Sequence, residues 1–182
     1  VVGDSVRGGL AKNAQTRISK VQFAVVGSDR FFTTGLGEAL ARDLEATVAP
    51  ILQSVATVSD PSGENRANQV QVVGVDPRFF AFATAEVEPL GEKDLAINEA
   101  LAKRLNAGAG DQIVASLERP GAISKDAPLS GASNAPEKLR GKVTRILSAD
   151  EFGRYNLNAE QVPVPTLFVP IERLAITLEK EG

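Results

Sequence analysis

The side chains that could do chemistry in this chain are few. It contains no His, Cys, Met or Trp and a single Tyr, Tyr155. The commonest general base and zinc ligand is therefore missing, together with thiolate nucleophiles and soft-metal ligands. Carboxylates, Lys, Ser and Tyr155 remain. Asp150-Glu151 is a candidate acid–base pair, and it would make the chain a small Asp/Glu-dependent hydrolase or carbohydrate-active domain. Adjacent carboxylates in a loop are far more often solvated charge than a catalytic dyad, so a non-enzymatic reading ranks first.

Two further stretches have the position of a ligand loop without its chemistry. Gly27-Ser28-Asp29 lies between a candidate strand and a candidate helix, where a phosphate loop would sit. It is neither G-x-G-x-x-G nor G-x-x-x-x-G-K, and Asp29 places negative charge where a phosphate would bind. Asp60, Glu64 and Arg66 fall in a turn whose spacing is not that of an EF-hand. The expectation is no catalytic residue, no cofactor and no metal site.

Composition narrows the class. The chain has 182 residues, 43% hydrophobic and 24% charged, with a net charge of −3. That is long enough for one domain or two small lobes with a real core. An acidic balance gives no overall field for nucleic acid. No apolar run reaches the roughly 20 residues that span a bilayer.

The elements follow from periodicity. Val6, Leu10, Ala14 and Ile18 recur every four residues and predict a narrow helical stripe over 4–19, weakened by Gly8 and Gly9. It reads either as the continuation of a helix formed upstream or as a surface helix capped by Asp4 or Ser5. Residues 20–27 predict a strand, then Phe32, Leu36, Leu40 and Leu44 a helix, then 47–60 a strand whose start Pro50 confines to an edge or bulge. Together 20–58 read β-α-β. Turn residues 59–68 join that strand to "NQVQVVGVD" as a hairpin. "PRFFAFA" (77–83) places three Phe within four residues, mostly as core.

The clearest local unit is 93–118. A short strand leads to Asn98 as N-cap, then a helix near 99–106 with Leu101 and Leu105 on one side, a glycine turn at Gly108 and Gly110, and a strand. Residues 119–138, with three Pro and two Gly, predict a long loop of functional or disordered character. Residues 139–150 predict a strand, "TLFVP" another, and 171–180 a helix with Ile171, Leu174 and Leu178 apolar.

The segments "VVGDSVRGGL", "GSDRFF", "NQVQVVGVDPRFF", "LAINEALAKRLNAGAGDQI" and "LFVPIERL" resemble, in this order, the extracytoplasmic (periplasmic) core domain of ABC transporter permeases of the MacB/FtsX/LolC type. The unit with Asn98, Leu101 and Gly110-Asp111 is the most telling match. The resemblance implies an α+β, two-lobed fold. Residues 1–19 would be a stalk helix continuing from an upstream transmembrane span. Residues 20–65 would form a porter-like β-α-β lobe, and 66–182 an inserted β-rich lobe with short helices. It departs from the family pattern at its C-terminus, where a second β-α-β of the first lobe is not seen.

The implied function is non-enzymatic: coupling of membrane-helix movement to export or release of a substrate, on the extracytoplasmic face of a cell membrane. The implied partners are an ABC ATPase subunit or domain, reached through the full-length permease, and an extracytoplasmic partner protein or lipoprotein substrate. No nucleic acid is implied, and the fragment itself is expected to be monomeric. A β-barrel peptide-binding module is a third reading. Candidate partner-contact residues are Phe80, Pro128, Leu129 and Tyr155, on the β-rich part and away from the membrane.

Overall fold

The computed structural model describes residues 17–27, 34–117, 136–158 and 162–179. Its elements run α1 (Thr34–Asp43), β1 (Ile51–Ser59), β2 (Arg66–Val75), a 3-10 turn (Pro77–Phe82), β3 (Leu95–Asn98), α2 (Glu99–Leu105), β4 (Gln112–Leu117), β5 (Glu137–Leu147), β6 (Thr166–Pro170) and α3 (Ile171–Glu179). The fold is a mixed α+β one with few helices. Its strands close into a barrel in the order β1-β2-β6-β3-β5-β4, with β4 returning to β1.

The barrel is mixed. β2 runs parallel to β6 and β3 parallel to β5, while the other neighbours are antiparallel. Strands in parallel pairs need coverage on both faces and so read as continuous apolar runs. That is what β2, β3 and β6 show. Val70, Val72, Leu95, Ile97, Leu167 and Val169 point into one core, whereas Val73, Val75, Ala96 and Phe168 point into a second on the other face. β4 instead alternates, and so does β5, whose other edge pairs antiparallel with β4 and whose outer face stays exposed. Ile113, Ala115, Leu117, Leu139 and Val143 are buried, while Gln112, Lys138, Arg140 and Lys142 are exposed.

Helices complete the first core. Asn98 has extended backbone (φ −84, ψ 167), and its side chain accepts from the Leu101 amide, so α2 starts there. Leu101 and Leu105 then enter the core, and α2 ends at Asn106 in the left-handed region (φ 50). The following turn uses Gly110 at φ 104, a conformation that disfavours any side chain. α3 buries Leu174 completely and leaves Ile176 58% exposed, an amphipathic helix lying on the barrel.

The hairpin between β1 and β2 is tied by Asp60. Its carboxylate accepts from the Gly63 and Asn65 amides at 2.6 and 3.1 Å and from Ser62 Oγ and Asn65 Nδ2. This charge organises the turn, as Asp does through local side-chain-to-backbone bonds.

The N-terminal third departs from expectation. Residues 21–27 are irregular, not a strand, and Phe23, Val25 and Val26 are 90%, 74% and 74% exposed. A strand must pair its amides and carbonyls with a neighbour, and among the described residues none lies alongside. The β-rich stretch expected to complete a β-α-β there is β1, which pairs with β2 and β4 inside the barrel. A division at residue 65 therefore falls within one hairpin. Leu36 on α1 and Leu44 just beyond its end are 38% and 64% exposed, so that part of the expected stripe does not form a buried face. The Val6-Leu10-Ala14 stripe and Phe32 lie outside the described residues.

Candidate functional site

The second core is aromatic, and it contains two of the residues proposed as contacts. Phe79 stacks on Phe152 with ring centroids 4.8 Å apart and meets Phe80 and Tyr155 edge-on at 5.3 and 5.1 Å. Phe168 of β6 completes the group. Phe80 is 3% exposed and Tyr155 4%, so neither ring is available at the surface. Their expected contact role gives way to packing, because the 3-10 turn rolls both Phe79 and Phe80 inward rather than separating them. Burial also pushes the Tyr155 hydroxyl up to about 12, and it has no hydrogen-bond partner among the described residues. Pro128 and Leu129 lie outside the described residues.

Asp76 opens the aromatic turn. Its carboxylate accepts from the Arg78 amide at 2.8 Å and from the Arg78 guanidinium at 2.7 and 3.0 Å. Burial acts to raise its pKa, but the bonds and charge of Arg78 outweigh it and hold the carboxyl below its usual range. Beside it, at the C-terminal ends of the parallel strands β2 and β6, is a groove of about 240 Å³. Val75, Pro77, Leu90 and Pro170 give it apolar walls, and Asp76, Glu92 and Glu172 line the rest.

Asn98 is a structural hub. Its Nδ2 donates to the carbonyls of Gly153 and Val164 at 2.9 and 2.8 Å, and its Oδ1 accepts from the amides of Leu101 and Thr166 at 2.9 and 3.1 Å. One buried side chain thereby joins α2, the 150s turn and the start of β6. Gly153 fits only without a side chain: a Cβ there would lie 2.3 Å from the Leu147 carbonyl oxygen.

Asp150 and Glu151 serve the same turn. The Glu151 carboxylate accepts from the Ser148 amide at 2.9 Å, and the Asp150 carbonyl accepts from the Thr84 and Ala85 amides. These bonds shape the loop, and the Glu151 carboxylate is engaged by the Ser148 amide. Among the described residues no three His, Cys, Asp or Glu side chains cluster so as to hold a metal ion. No described helix is long and apolar enough to cross a membrane.

The barrel wall carries a feature that the sequence reading missed. In "EKLRGKV" the cations Lys138, Arg140 and Lys142 occupy every second position. The structure turns all three outward, against buried Leu139 and Val143. Period-two charge within a strand was the available signal.

No family model matches this sequence, and no curated protein matches it. Among solved structures, the periplasmic region of MacB from Actinobacillus actinomycetemcomitans is similar, with a TM-score of 0.52 over 96% of this chain and 75% of that one, at 11% identity. The chain shares the fold of that periplasmic region.

Proposed function

We propose that this chain is a non-enzymatic, extracytoplasmic domain of an ABC transporter permease, one that couples movement of membrane helices to export or release of a substrate. The observation that carries this reading is the likeness in fold to a MacB periplasmic region over nearly the whole chain. Two others agree with it. The polar clusters among the described residues act in caps and turns, as Asn98, Asp60 and Glu151 do. A closed barrel cross-tied by such a hub is suited to passing on displacement as a body rather than to reshaping around a small substrate. In this reading the barrel is the inserted β-rich lobe, and 17–48 belong to the porter-like lobe. The ATPase is supplied by another subunit or domain of the permease, and the outer partner is a protein or a lipoprotein substrate.

The test is topological. This chain has no Cys, so Lys103→Cys on the exposed side of α2 gives it one label site, read against the full-length protein without the substitution. A membrane-impermeant maleimide should label it in intact spheroplasts carrying the full-length protein. Labelling only after lysis would refute the reading.

A further inference from the structure

Among the described residues, the outward positions of β5, β4 and β1 carry cations and no carboxylate. Lys138, Arg140 and Lys142 project from β5 at alternate positions. Directly opposite them on β4 stand Ser116, Val114 and Gln112, and beyond these on β1 stand Thr57 and Ser59. Residues directly opposite in antiparallel strands share a face. Every one of these positions is neutral. None of the three cations is in an ion pair among the described residues, where Arg78 and Arg145 do form pairs with Asp76 and Glu88. The acids nearest in sequence are occupied: Asp111 accepts from the Gly108 amide at 2.7 Å, and Glu137 has a partner of its own. In a chain whose net charge is −3, such a row is a local inversion of sign.

We infer that this face docks an acidic, extended segment of a partner protein. Side chains two apart on a strand are spaced by about 6.7 Å. A segment with carboxylates at every second residue has the same period, so three charges can meet three charges in register. The neutral Ser116, Val114, Gln112, Thr57 and Ser59 beside them let such a segment lie close without repulsion. A lipid surface fits less well. The barrel wall curves away on either side of β5, and among the described residues the aliphatic side chains on this face are only the half-buried Val114 and, further off on β1, Val55, too little to enter a bilayer. This inference stands apart from the transporter reading, since it uses only the charge and geometry of the barrel.

The experiment uses the 182-residue chain with a fluorescent synthetic peptide of alternating Glu and Thr, its Gln-for-Glu counterpart, and vesicles of phosphatidylcholine with phosphatidylglycerol. The Glu peptide should bind, the Gln peptide should not, and amide shifts should map to β5 and β4. Lys138→Gln, Arg140→Gln and Lys142→Gln combined should weaken binding about tenfold, and added salt should do the same. Gln112→Glu and Ser116→Glu form a second variant, which places carboxylates opposite Lys142 and Lys138 and should also weaken binding while leaving the fold intact. No binding of the Glu peptide, shifts mapping elsewhere, or equal affinity in both variants would overturn the inference. Binding to the anionic vesicles but not to the peptide would overturn it in favour of a membrane contact.

Discussion

Replacing Asn98 by Ala removes a side chain that is 3% exposed and satisfies four backbone groups. The amides of Leu101 and Thr166 lose their acceptor, and the carbonyls of Gly153 and Val164 lose their donor. A net hydrogen bond contributes about 1 kcal/mol, and a buried orphan costs about 1–3. Loss of the helix cap accounts for roughly 1 kcal/mol of this. Partial rescue by water or relaxation lowers the sum, and the expected loss is about 3–5 kcal/mol, a large part of the stability of a typical domain. Urea unfolding followed by circular dichroism reads it as a lower midpoint at unchanged slope. Asn98→Asp keeps both acceptor roles but loses both donors, so it should fall between wild type and Ala at low pH and nearer Ala at neutral pH. A loss below about 1 kcal/mol for Asn98→Ala would refute the hub, leaving Asn98 as an ordinary cap.

Two titrations test the second core and the turn that Asp76 opens. Tyr155 is the only Tyr, so its ultraviolet difference spectrum reports it alone; the midpoint should be near 12 in the folded protein and about 10 in urea. Because the folded value is the higher one, stability held below pH 10 is lost as pH rises through that window, and Tyr155→Phe should abolish this loss. Asp76 has the opposite sign: its folded pKa is depressed, so its contribution is present above the unfolded value of about 3.9 and disappears as pH falls through the folded one. Asp76→Asn should flatten the acid side of the stability profile, measured by urea midpoints at successive pH values.

Much of the barrel was legible piece by piece. The strand, Asn98 cap, α2, glycine turn and β4 appear where the sequence places them, and α3 spans Ile171–Glu179 against an expected 171–180. Each rests on neighbours a few residues apart: a capping side chain, a stripe of Leu, a glycine at positive φ. The "SDPSGENRAN" turn is of the same kind, since Asp60 bonds within five residues of itself. The strand expected at 21–27 has the right composition, but composition supplies no partner for its backbone.

Closure, burial and charge isolation were decided only in three dimensions. Nothing near Gln71 announces that it pairs in parallel with Thr166, and nothing near Leu95 announces Val143. Those pairings cover β2, β3 and β6 on both faces, and the second face is what draws Phe80 and Tyr155 inside. The sequence shows an aromatic cluster and a lone Tyr; whether they face a partner or a core depends on which strand lies behind them. The alternating cations of β5 are likewise written in the chain. That their cross-strand neighbours are Gln112, Val114 and Ser116, with no carboxylate among them, follows from a register fixed by the buried residues on the opposite face. Sequence determines period and local caps because their energies act over one or two turns. Tertiary structure determines partners, because a strand's partner is chosen by the total burial that the closed barrel achieves.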